Sequence, residues 1–209
     1  MKIRISGARF TFGLCLAGVL AVVSLGSTGA RGDGAKPEGK FMGVGTCKMC
    51  HAAKDKGAAF AKWQETKHSK AWEGLATEEA KTIAKAKGIE DPQKSDQCIK
   101  CHRTAFGAGA EQLDKKFDPQ LGIQCESCHG SGEKHVKARK DDEDEDDASL
   151  HKKAQAEMAL PDMKALCVKC HNSESPTIEK SPFWNKEKKE FDFEKAFKEI
   201  SHPNPKWHK

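Results

Sequence analysis

Tyrosine is absent from the 209-residue sequence, and with four tryptophans and ten phenylalanines the aromatic share is only 7%. Apolar residues of every kind reach 37% against 32% charged, and mean hydropathy is −0.72. A chain this polar buries too little surface of its own to offset the entropy lost on ordering. Something other than side chains must therefore fill its core. Long apolar runs are missing too, except for one from Phe10 to about Leu25, which falls short of the ~20 residues that a spanning helix needs. The lysines are scattered among acidic residues and form no basic stripe, which argues against a nucleic-acid-binding surface.

The single apolar run follows Lys2, Arg4 and Arg9 and is closed by the small residues Thr28-Gly29-Ala30. Residues 1–30 read as a secretory signal peptide, with cleavage expected after Ala30, delivery to the periplasm or another exported compartment, and no permanent membrane anchor. Cys15 lies inside the run and leaves with it. Residues 31–209 are then expected to form a single domain. Loss of three of the 36 basic residues leaves 33 against 31 acidic ones, so the mature chain is nearly neutral.

The remaining eight cysteines fall in four identical frames. These are Cys47-Lys48-Met49-Cys50-His51, Cys98-Ile99-Lys100-Cys101-His102, Cys125-Glu126-Ser127-Cys128-His129 and Cys167-Val168-Lys169-Cys170-His171. Paired C-x-x-C units also build zinc ribbons, but zinc gives no reason for a histidine after every second cysteine. The frame is the attachment signature of c-type haem: two thiols add to the porphyrin vinyl groups and the adjacent imidazole reaches the iron. The sequence thus predicts four covalently bound haem c groups with His51, His102, His129 and His171 as proximal ligands. No mature cysteine is left for disulfides or nucleophilic work. One haem for about 45 residues predicts a mainly α multihaem cytochrome c with extensive loops, a haem-filled core and little or no sheet. The haem propionates would make the loaded protein net acidic despite a sequence pI of 8.6.

Irons ligated from one side by these motifs call for second ligands, and imidazole is the usual partner. Outside the motifs only His68, His135, His151, His202 and His208 qualify. An Ala- and Lys-rich helix is expected over 52–75, carrying His68. A spacer helix is expected from Glu78 to Lys87, capped by Thr77 and ended by Gly88. Asp91-Pro92 turns the chain into the second motif. Residues 103–122 read as loop with room for a short hairpin, and Gly130 and Gly132 supply a sharp turn through positive φ. His135 follows His129 too closely to round the porphyrin edge, so it should serve a different iron. A short helix is expected over 149–160, bearing His151. Asp192 should cap a final helix with an apolar stripe of Phe193, Ala196, Phe197 and Ile200, stopped at Ser201-His202-Pro203. Residues 31–45 read as a flexible lead. The seven acids at 141–147 read as a solvated loop, or as a docking patch for a basic redox partner.

These residues resemble the cytochrome c-554 family of tetrahaem c-type cytochromes. The resemblance is carried by the first motif followed by Trp63, Thr66, His68 and Ala71, by the second followed by Phe106-Gly107, and by Gly122 to Gly132. The fourth motif followed by Ser175-Pro176, and Phe191 to Ile200 before His202, complete it. It implies a helical fold with haems stacked in close pairs, His68 on the fourth iron, His202 on the third and His135 on the first. In the family's namesake the second iron has an open or exchangeable position. Here His135 follows its motif at a shorter spacing than in the namesake, and the acidic run with His151 has no counterpart there. His151 is thus an alternative to His135, or a ligand for the second iron, and His208 is a weaker candidate.

Three functions fit these residues. The first is an electron carrier relaying charge between a periplasmic oxidoreductase and a downstream cytochrome or quinone-linked system. The second is a reductase of a small nitrogen or sulfur species at an open second haem; no motif carries the lysine that nitrite-reducing relatives place at the histidine position, which counts against that substrate. The third is a haem-filament subunit.

Overall fold

The computed structural model describes residues 39–140, 147–158 and 162–202. The expected leader, all but the last residue of the acidic run, and His208 lie outside them. Helices α1 (Val44–His51), α2 (Ala59–Glu65), α3 (Ala71–Gly74), α4 (Glu78–Ala86) and α5 (Asp96–His102) come first. They are followed by α6 (Glu126–His129), α7 (Glu133–Ala138), α8 (Asp147–Ala156), α9 (Met163–Cys167) and α10 (Phe193–Ile200). A two-stranded antiparallel ribbon, β1 (Trp184–Asn185) with β2 (Glu190–Phe191), is the only sheet among the described residues. The fold is the mainly α, loop-rich one expected.

Where the signals are local, the elements follow them. Thr77 Oγ1 accepts the Ala80 N–H at 3.2 Å to start α4, and Gly88 ends the helix at φ +72°. Asp192 Oδ1 accepts the Lys195 N–H at 3.1 Å to start α10, and Asp91 Oδ1 accepts the Gln93 N–H at 2.9 Å in the turn before the second motif.

Four expectations need correction. The helix over 52–75 is broken: a 3-10 turn at Lys54–Lys56 runs into Gly57 and Ala58, both at positive φ, and extended Thr66 separates α2 from a second 3-10 turn, Lys67–Lys70. The lead is not loose from Gly39 onward, because Phe41 and Val44 are buried and bonded to residues far downstream. No hairpin forms within the described loop 103–122; Leu113 instead bridges in parallel to Phe41. Gly130 sits at φ +78°, but Gly132 takes φ −90° and needs no left-handed backbone.

The polypeptide's own core is small and partly polar. Buried apolar side chains include Phe41, Leu75, Ile99, Phe117 and Ile178, yet the largest fully buried side chains are Gln124 and Thr104.

Candidate haem-binding site

Each attachment frame lies on a helical turn. Helices α1, α5 and α6 end on His51, His102 and His129, and the turn after α9 brings the His171 N–H onto the Cys167 carbonyl at 3.0 Å. Helical pitch sets positions i, i+3 and i+4 on one face, so two thiols and an imidazole project together. The C-x-x-C-H spacing is satisfied by one turn of backbone.

The histidine rings meet in pairs. His51 and His135 stack with centroids 6.0 Å apart and planes 28° from parallel. His68 and His171 are 6.0 Å apart, and His129 and His202 are 5.9 Å apart, both edge-on at 66°. Two imidazoles that each bind one metal at about 2 Å through a ring nitrogen stand about 6 Å apart, because each centroid lies about 1 Å behind its nitrogen. The pairs are the three that the resemblance names. His102 belongs to none of these three pairs. His151 lies half-buried on α8, which packs against α7.

Second contacts set the tautomers. Nδ1 of His102 donates to the Ala71 carbonyl at 2.6 Å, that of His135 to Ala154 at 2.9 Å and that of His202 to Ile200 at 2.9 Å. A carbonyl only accepts, so Nδ1 carries a proton, and Nε2 is the nitrogen left to meet a metal. The Phe191 ring stacks on His171 at 4.8 Å. Burial, then His135, holds His51 below the ordinary imidazole value; burial, then His171, does so for His68. Burial alone lowers His171, and burial with His202, His51 and His135 brings His129 down to about 4. Neutral rings are the form that binds metal.

The attachment cysteines are linked in series. Cys47 and Cys125 lie close enough to perturb one another, the first thiol raised and the second lowered. Cys101 and Cys170 do likewise, with Cys101 lowered to about 7. Cys128 is raised to about 11 by burial first and then by Cys167 and Cys125. The motifs therefore adjoin in the order first, third, fourth, second.

A buried polar clamp joins the first and third motifs. Glu126, 3% exposed, accepts the N–H groups of Met42 and Gly132 through Oε1, both at 2.7 Å, and that of Gly43 through Oε2 at 2.8 Å. Burial pushes its carboxyl up, and these three donors pull it back. Gln124 accepts the Val44 N–H at 2.8 Å and donates to Asp118 at 2.7 Å. The free N–H groups that open α1 are thus capped by side chains some 80 residues away. Nothing in the sequence singles out Gln124, and Glu126 is visible there only as one of the two residues between paired cysteines.

The donor sets fit haem c: four cysteine pairs on helical turns, histidine rings at metal-spanning distance, and a buried Arg103 Nε beside His102 with no hydrogen-bond partner among the described residues. An orphaned buried guanidinium nitrogen suits a carboxylate such as a haem propionate.

The family model of cytochrome c554 and c-prime matches residues 46–130, from just before the first motif to just after the third. Residues 46–130 are similar to the cytochrome c554 family. Over 105 residues, 48% of this chain and 43% of the relative, the sequence is 33% identical to cytochrome c-554 of Nitrosomonas europaea. It is 24% identical over 95 residues to the multiheme cytochrome MtrA of Shewanella baltica, covering 43% of this chain and 27% of that one. The chain spans less than half the length of the curated relatives it matches. No solved structure matches it. Within the cytochrome c554 segment the cofactor is covalently bound haem c and the class is multihaem c-type cytochrome. His135, His171 and His202, one ring of each pair, come from beyond that segment.

Proposed function

We propose that the protein is an exported tetrahaem electron carrier whose residues 31–209 form one domain. The reading rests above all on three histidine pairs standing 5.9–6.0 Å apart. Cys47 and Cys50, Cys98 and Cys101, Cys125 and Cys128, and Cys167 and Cys170 hold the four groups covalently. His51 and His135 ligate the first iron, His129 and His202 the third, and His171 and His68 the fourth. His102 ligates the second, with Arg103 placed to take a propionate. Haem c supplies a one-electron couple when bound, and ligation by two imidazoles sets it lower than Met/His ligation would. The chain's part is to fix the order of the groups through its adjoining cysteines, and to hold the imidazoles aimed.

Export is supported by the leader-like residues 1–30, and no helix among the described residues is long and apolar enough to cross a membrane. A redox enzyme of the same compartment as donor, and a cytochrome or quinone-linked system as acceptor, fit a relay of this kind. The mature protein purified from the periplasm should begin at Arg31, carry the mass of four haems, and show three low-spin bis-imidazole irons by electron paramagnetic resonance. A mass of three haems, or fewer than three low-spin irons, would refute the assignment.

One observation favours a second reading, reduction of a small nitrogen or sulfur species at the second iron: His102 belongs to none of the three histidine pairs. A high-spin signal that disappears on addition of cyanide or nitric oxide would support it, and four low-spin irons would end it.

A further inference from the structure

The turn that carries His68 touches two of the four sites. Its imidazole faces His171 at 6.0 Å. Three residues on, the carbonyl of Ala71 accepts Nδ1–H of His102 at 2.6 Å. A 3-10 turn, Lys67–Lys70, followed directly by α3, separates the two contacts, so neither can shift by much without the other.

One short segment holds that turn from outside. The Ile123 N–H donates to the His68 carbonyl at 3.0 Å, and the Ile123 carbonyl accepts Trp63 Nε1–H at 2.7 Å. Gly122 lies flat against the turn at φ +67°. A Cβ there would stand 2.6 Å from the His68 carbonyl oxygen, 3.1 Å from the Ala71 nitrogen and 3.3 Å from the Ser69 carbonyl oxygen. All three are backbone atoms, so no side chain could swing aside to make room, and the left-handed backbone adds its own penalty for any other residue. The Gly122 carbonyl is held in turn by Thr104, two residues past His102, through its N–H at 3.1 Å and its hydroxyl at 3.0 Å.

We propose that residues 68–71, latched by Gly122 and Ile123, are a single positioning element for two irons, presenting the distal imidazole to the fourth and orienting the proximal imidazole of the second. The proposal rests on the reading of His68, His102 and His171 as iron ligands. A carbonyl that accepts Nδ1–H fixes the ring's orientation and increases its basicity, which stabilises the oxidised iron and lowers its potential. Displacing the turn therefore has two signatures at once. The fourth iron loses its distal ligand and turns high-spin, and the second iron, whose His102–Ala71 bond lengthens, shifts to a more positive potential.

The test compares His68→Ala, Gly122→Ala and Trp63→Phe in the full-length, haem-loaded protein by spin-state spectroscopy and by potentiometric titration of the individual haems. His68→Ala should give one high-spin iron, returned to low spin by added imidazole, with the second haem's potential in place. Gly122→Ala should give the same high-spin iron and also move the second potential upward. Trp63→Phe, which removes one donor without a clash, should move both in the same direction by less, and supplies the answer if Gly122→Ala fails to load haem. A second potential unmoved in every Gly122 or Trp63 variant that loads haem overturns the shared element while leaving His68 as a ligand. A His68→Ala protein with its low-spin spectrum intact overturns the ligand assignment, and the proposal with it.

Discussion

Oε2 of Glu126 accepts the backbone N–H of Gly43 at 2.8 Å, tying the third attachment motif to the turn that opens the first. The second carboxylate oxygen takes Met42 and Gly132, so both oxygens face backbone donors. Replacing Glu126 with Gln puts an amide NH2 against an N–H. The expected cost is about 1–3 kcal/mol, or roughly 3–10 °C in Tm at this chain length, with haem content unchanged. Calorimetry of the loaded variant checks this, and a Tm within a degree or so of wild type would show the clamp to be dispensable.

His135 stacks on His51 and is anchored by Ala154. His135→Ala should convert one iron, the first, from low to high spin, with recovery on addition of imidazole. An unaltered low-spin spectrum would pass the role to His151 or His208.

Acid should loosen the fold through His129. Its proton affinity in the folded chain falls from the ordinary 6.5 to about 4, chiefly by burial. As pH drops, the unfolded chain takes up this proton first. The stabilisation is therefore complete above 6.5 and is lost as pH falls from 6.5 towards about 4, by on the order of 3 kcal/mol. Iron bound at the ring would extend the window further into acid. Denaturant midpoints measured across this range should decline with pH, and a flat profile would contradict the assignment.

Haem-free protein should lack a cooperative fold. The buried apolar side chains are few, and the most deeply buried large ones, Gln124 and Thr104, are polar. A chain carrying Cys→Ala at all eight attachment positions should show weak helical circular dichroism and no sharp melt. A cooperative, native-like transition would prove the polypeptide self-sufficient.

The comparison of sequence with structure divides by range. Thr77, Gly88, Asp91 and Asp192 act on neighbours within a few positions, and each was legible because its partner is fixed by helical or turn geometry. The attachment frames were legible for the same reason. The break at Gly57, Ala58 and Thr66 was not, because a run rich in Ala and Lys reads as one helix, and the demand that His68 face His171 comes from more than 100 residues downstream. Nor was the ordering of Gly39 to Val44 legible, since its partners Gln124, Glu126 and Glu133 are polar residues in a polar chain and carry no periodic signal.

The ring pairs join positions 51 with 135, 68 with 171 and 129 with 202, spans of 84, 103 and 73 residues. Closing spans of this length is entropically demanding, and none closes early. If the protein is exported N-terminus first, as proposed above, no pair is complete until His135 has emerged, and the pair of His129 waits a further 67 residues for His202. Under that proposal the polypeptide must stay open while its cysteines react, so maturation is ordered by arrival time: the first pair can close once His135 has crossed, the fourth only after His171 and the third only after His202.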